Sequence, residues 1–130
     1  MFNISKQADY GLIIISYLLK EKKQLPLAAL VKMTALPQRF LARVAALLVH
    51  GGLLVSKEGR DGGYRVSNKV NAISLYDYLL IFESEVNFCS SGNSRCRYEK
   101  ICSHKDFLRL HLNGLVARQL KQIKLHELFN

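Results

Sequence analysis

Two prolines and a glycine pair punctuate the first half of this chain, and few folds fit the intervals between them. Pro26 reads as the first residue of a short helix ending near Met33, because proline is at home where the first helical N–H would have no partner. Thr34-Ala35-Leu36 forms a tight link, and Pro37 starts a third helix running to about His50. Gly51-Gly52 stops it, since glycine readily takes the left-handed conformation that follows a helix end. A short helix, a three-residue turn and a longer helix are what a helix-turn-helix requires. In the third helix Phe40, Leu41, Val44, Leu47 and Leu48 make one apolar stripe. Gln38, Arg39, Ala42, Arg43 and Ala46 fall opposite. Small residues between two arginines let a helix backbone enter a major groove while the guanidiniums reach bases or phosphates.

A hairpin follows directly. Leu53-Leu54-Val55-Ser56 and Tyr64-Arg65-Val66 are strand-like, joined by the charged, glycine-rich segment Lys57-Glu58-Gly59-Arg60-Asp61-Gly62-Gly63. Behind a helix-turn-helix such a hairpin is a wing, placing Lys57, Arg60 and Arg65 over a DNA backbone or minor groove. Charge agrees. Residues 1–70 hold 11 Lys/Arg and 4 Asp/Glu, a net +7, and residues 71–130 hold 8 and 6, a net +2. A basic first half is the electrostatic footprint of a nucleic-acid binder.

Elsewhere the pattern is helical. Ser5 caps a first helix from about Lys6 to Lys20, apolar around most of its circumference and therefore central. Asp9 lies in its first turn, where the helix dipole favours an acid. Ser74 to Asp77 resembles a capping box opening a helix to about Ser84, with Ile73, Tyr76, Leu79 and Leu80 turned inward and Ile81 and Phe82 as further candidates. A long helix is predicted from about Lys105 to Lys124, and Leu125 to Phe129 adds a short closing one. Its apolar surface (Phe107, Leu108, Leu110, Leu112, Leu115, Val116, Leu120, Ile123) exceeds what a domain this small would cover by itself. Such helices commonly pair with a twin about a twofold axis. The apolar run Leu12–Leu19 is far short of the roughly 20 residues a membrane span needs. With no export signal in view, a reducing cytoplasm is the expected compartment.

The chemistry is concentrated between these last helices. All three cysteines, Cys89, Cys96 and Cys102, lie in a polar stretch with no apolar period, and His104 stands just behind. An odd count argues against a closed set of disulfides. Zinc would take Cys89, Cys96, Cys102 and His104 as four ligands, yet gaps of six, five and one residues lack its usual tight bite. An iron–sulfur cluster tolerates longer gaps and would leave one iron to a weaker fourth ligand. Redox-active thiols are the third reading.

Several stretches together resemble the IscR/NsrR (Rrf-two) family of bacterial winged-helix regulators along nearly the whole chain. They are Ile4-Ser-Lys, Ala8-Asp-Tyr-Gly-Leu12, Gly51-Gly-Leu-Leu-Val-Ser56, Gly59-Arg-Asp-Gly-Gly-Tyr64, Ile73-Ser-Leu75 and the cysteine trio. The resemblance implies a dimeric DNA-binding regulator with Cys89, Cys96 and Cys102 as cluster thiolates. In NsrR-like members an Asp in the first helix, given by the partner subunit, completes a 4Fe-4S cluster; Asp9 matches it. In IscR-like members a His shortly after the third Cys completes a 2Fe-2S cluster. His104 sits one residue closer to Cys102 than that pattern, and the first cysteine gap is one residue longer than usual.

The predicted fold is therefore mainly α. Residues 1–72 form a winged helix-turn-helix DNA-binding domain with a two-stranded wing, and 73–130 a helix, a cluster-binding loop and a long dimerisation helix. The expected function is a cytoplasmic homodimeric transcription regulator binding double-stranded operator DNA and sensing cluster status, nitric oxide or redox stress. A cluster-free or zinc-bound thiol sensor is the rival within the class. A small iron–sulfur electron carrier leaves the wing and the +7 half unexplained. An enzyme is not expected, since no Ser/His/Asp set, P-loop or paired carboxylates occur. His50, His111 and His126 are scattered, with solvated or capping roles.

Overall fold

The computed structural model describes residues 4–83, 101, 103 and 107–129. Helix α1 spans Lys6–Glu21, and the Ser5 side chain accepts the Ala8 N–H at 3.2 Å. Its buried residues Ala8, Gly11, Ile14, Ile15 and Leu18 recur at helical spacing and form one face. Lys22 ends the helix in the left-handed conformation, its N–H donating to the Leu18 carbonyl at 3.0 Å.

Helices α2 (Leu27–Thr34) and α3 (Gln38–His50) follow. Pro26 and Pro37 stand just outside them as N-caps in extended conformation, so Pro26 precedes α2 and is not its first residue. In the link, Thr34 Oγ1 donates to the Leu30 carbonyl at 2.7 Å and accepts the Leu36 N–H at 3.3 Å, while Ala35 takes a φ of 58°. The α3 C-terminus is a Schellman motif. Leu53 N–H reaches the Leu48 carbonyl at 2.9 Å and Gly52 N–H the Val49 carbonyl at 3.0 Å, with Gly52 left-handed at φ 82°.

Strands β1 (Leu54–Lys57) and β2 (Gly63–Val66) pair antiparallel in the register Leu54↔Val66, Val55↔Arg65, Ser56↔Tyr64 and Lys57↔Gly63. A single residue of the α1–α2 link extends the sheet. Leu25 and Tyr64 exchange both backbone hydrogen bonds, at 3.0 and 2.8 Å. Gly63 is required there, because at φ 147° an added Cβ would collide with the Leu25 carbonyl and approach Pro26 N to 2.7 Å.

A 3₁₀ turn over Asn68–Asn71 leads to α4 (Leu75–Phe82), capped by Ser74, whose hydroxyl accepts the Asp77 N–H at 3.2 Å. Ile73 and Leu79 are buried as expected, but Tyr78 is buried as well and Leu80 is exposed. The hydroxyl of Tyr78 reaches back to α1, against Gly11, where any side chain would also meet Phe82 Cζ at 2.9 Å. The C-terminal helix opens with a π-helical turn over Phe107–Leu112, continues as α5 (Asn113–Gln122), and ends two residues earlier than Lys124. A closing 3₁₀ helix, Leu125–Phe129, buries Leu125 completely. Leu41, Val44 and Leu48 of α3, Ile14 and Ile15 of α1, Tyr78 of α4 and Leu125 share one core. Each fully buried aliphatic side chain of this kind contributes about 1.5–3 kcal/mol. Among the described residues no helix is long and apolar enough to cross a membrane.

Candidate nucleic-acid interface

The core grips α3 from one side only. Leu41, Val44, Ala45 and Leu48 have no solvent exposure, and Phe40 packs edge-on against Tyr10 with centroids 4.9 Å apart. The opposite face is left to solvent. Gln38, Arg39, Arg43 and Ala46 are exposed there, as the apolar period predicts. Pro37 supplies no side-chain cap, and the first main-chain bond runs from Leu41 N–H to the Pro37 carbonyl at 3.0 Å. The N–H groups of Gln38, Arg39 and Phe40 precede that bond, at the positive end of the helix dipole. Oriented amides beside two guanidiniums suit phosphate and base edges.

The hairpin adds a second cationic face. Val55 and Arg65 are paired across the strands, so Arg65 projects on the same side as Lys57, two residues along β1 from Val55. Arg60 sits at the exposed tip. The tip is held in shape by Gly62 N–H donating to the Gly59 carbonyl at 3.0 Å, with Gly59 at φ 102°. It is also anchored from outside the hairpin, since Gln24 Nε2 donates to the Asp61 carbonyl at 2.5 Å. That anchor has no local signature, and sequence reasoning missed it. Lys57, Arg60, Arg65, Arg39 and Arg43 make no ion pair among the described residues. Their charge is free for an external anion.

Asp9 is exposed in the first turn of α1, and its carboxylate has no hydrogen bond or ion pair among the described residues. Its charge is felt by Tyr78, whose phenol is pushed well above the ordinary tyrosine range by burial first and by Asp9 second. Cys89, Cys96, Cys102 and His104 lie outside the described residues. Among the described residues no group of three His, Cys, Asp or Glu side chains gathers as a metal site.

The chain is similar to known regulators throughout its length. It is 27% identical to YffB of Lactococcus lactis subsp. lactis, described as an HTH-type transcriptional regulator, over 92% of this chain and 80% of that one. Its fold is similar to that of CymR, the global cysteine regulator of B. subtilis, with a TM-score of 0.72 and 22% identity over 99% of this chain and 97% of the other. It is similar also to IscR of T. potens, with a TM-score of 0.68 and 19% identity over 97% and 85%. A family model described as "Rrf2: Iron-dependent Transcriptional regulator" matches residues 4–130, and this chain belongs to that family of winged-helix, DNA-binding transcriptional regulators.

Proposed function

We propose that the chain acts as a homodimer whose grip on operator DNA is set by an iron–sulfur cluster held by Cys89, Cys96, Cys102 and Asp9 of the partner subunit. The observation that carries the reading is Asp9 itself, an exposed carboxylate with no hydrogen bond or ion pair among the described residues. An acid in that position is free to serve as a ligand. Three thiolates with one harder, weaker oxygen donor also suit a cluster better than a closed zinc site. The family's description as iron-dependent supports it further. With His104 in place of Asp9 the same thiolates would suit a 2Fe-2S cluster.

In this reading Gln38, Arg39 and Arg43 enter the major groove, and Lys57, Arg60 and Arg65 hold phosphate or the minor groove. Phosphate contacts supply most of the affinity and its salt dependence. Phe107, Leu110 and Leu115, exposed on the C-terminal helix, supply apolar surface for a twin. When bound, the cluster supplies a centre that reacts with oxidants or nitric oxide. Asp9 answers that centre from α1, whose first turn is tied to α4 by Tyr78. A coupling of 1–3 kcal/mol between ligand state and DNA grip would change occupancy roughly 5–150-fold. Such a regulator works in the cytoplasm and, in keeping with a family of regulators, is not an enzyme.

Anaerobic purification followed by visible absorption and counts of iron, acid-labile sulfide and zinc tests this directly. A brown protein with sulfide supports the cluster, and four irons per chain against two separate the Asp9 and His104 versions. Absence of iron and sulfide even after reconstitution overturns it and leaves a thiol- or zinc-dependent regulator.

A further inference from the structure

We infer that Lys22, Lys23 and Arg65 form a second cradle for DNA backbone phosphate, set beside the wing and apart from the recognition helix. The inference rests on the DNA-binding reading of the wing and extends it from Arg65 of the hairpin to Lys22 and Lys23, which lie outside both helix-turn-helix and hairpin.

The α1–α2 link is built as part of the wing. Lys22 turns the chain in the left-handed conformation, and Leu25 then pairs with Tyr64 as a third, one-residue strand. Between them Gln24 ties its side chain to the Asp61 carbonyl at the tip. The turn and the hairpin therefore move as one piece. They border an open cleft of about 450 Å³ with an apolar floor of Leu18, Leu19 and Val66 and a polar rim of Lys22, Lys23, Gln24 and Arg65.

Among the described residues no acidic side chain lines this cleft, and its three cations make no ion pair. Like charges gathered around one concavity repel, a cost that no counter-ion among the described residues offsets. The negative end of the α1 dipole would attract Lys22 and Lys23 by itself. It does not account for Arg65, which arrives from β2 and shares the outward face of the hairpin with Lys57. The cleft is thus continuous with the wing's cationic face, and a backbone phosphate flanking the wing is the anion it fits.

The test is fluorescence anisotropy of the full chain on a mixed-sequence duplex of roughly three helical turns over a salt series. In Lys22→Gln/Lys23→Gln the slope of log K against log salt is expected to shrink by about 0.9 for each phosphate no longer neutralised, or about 1.8 for the pair. Sequence preference should not change. An unchanged slope in that variant, beside a reduced slope in Arg39→Gln, overturns the cradle and leaves DNA binding intact. Saturable binding of inorganic phosphate with an unchanged DNA slope overturns it too, and assigns the cleft to a small anion. No duplex binding by the wild-type chain removes both readings together.

Discussion

The phenol of Tyr78 donates its hydroxyl hydrogen to the carbonyl oxygen of Ala8, fastening α4 to the first turn of α1 across 70 positions of the chain. Tyr78 is fully buried, and its ring lies 5.3 Å from that of Phe82. Ala8 immediately precedes Asp9, so this one bond fixes the turn that carries the exposed carboxylate. Removing only the hydroxyl, in Tyr78→Phe, keeps the packing and deletes the tie. The Ala8 carbonyl has a second lone pair for the α1 ladder and is not orphaned, so the loss should be modest, about 1 kcal/mol. Thermal unfolding at fixed protein concentration should show Tm lowered by roughly 3–5 °C. An unchanged Tm would mean that the bond contributes nothing net.

The same phenol gives stability a pH dependence. Burial, and then the Asp9 charge, raise its pKa above the usual tyrosine range. An unfolded chain releases this proton near pH 10, whereas the folded chain retains it. The contribution is therefore complete below about pH 10 and is lost as pH climbs beyond, at about 1.4 kcal/mol per pH unit from this residue. Urea titrations on either side of that pH should show the wild-type chain losing stability more steeply than Tyr78→Phe. Parallel slopes would place the proton elsewhere.

How much of this could be read in the sequence depends on how far each cause reaches along the chain. Pro26, Pro37, Gly51-Gly52, Ser5 and Ser74 act on their own backbone neighbours, and the elements they bound stand within a residue or two of expectation. The exposure of Gln38, Arg39 and Arg43 was equally legible, because a helix with one apolar stripe must turn its other side outward. Tyr78 was not. Its neighbours Tyr76 and Leu80 fit an apolar period as well as it does, and only the notch at Gly11 on another helix selects it. The Leu25–Tyr64 pairing and the Gln24–Asp61 bond are single links between distant segments, with no repeating pattern to announce them. The π-helical opening of the C-terminal helix departs from the 3.6 period on which the prediction of one uniform helix relied.

Arg43 lies one helical turn beyond Arg39 on the open face of α3, and in the proposed docking its guanidinium is assigned to base edges and not to phosphate. Arg43→Ala should cost about 1–3 kcal/mol on the operator, a loss of roughly 5–150-fold, and much less on mixed-sequence DNA. Paired binding curves on the two duplexes check this. Equal losses on both would make Arg43 a phosphate-binding residue.

Asp9 separates a ligand from a favourable helix-end charge. As a dipole partner alone, its replacement by Ala costs about 0.3–1 kcal/mol of stability and leaves cofactor content untouched. As a ligand, its loss should carry that same small cost and in addition shorten the lifetime of bound iron and sulfide in air. Iron release followed by visible absorption distinguishes the two. Asp9→Cys, which restores a thiolate at the same place, should lengthen that lifetime again.

The C-terminal helix provides the test of assembly. Leu110 is 78% exposed and Phe107 59%, and no residue of α5 is fully buried, although both segments are rich in leucine. Among the described residues Phe107 stacks on His111 at 5.1 Å, yet both Phe107 and Leu110 leave most of their surface in water. A twin helix would bury them, and glutamate at Leu110 would then place two unpaired carboxylates in the interface, one from each copy. A cost of about 3 kcal/mol or more per dimer raises the dimer dissociation constant by over roughly 100-fold. Sedimentation equilibrium of Leu110→Glu at micromolar concentration should therefore find monomer where the wild-type chain is a dimer, with Tm of the monomeric core little changed. Operator affinity should fall with it, because two half-sites would no longer be held by one body. A variant that keeps the wild-type mass would show that Leu110 lies outside the dimer seam.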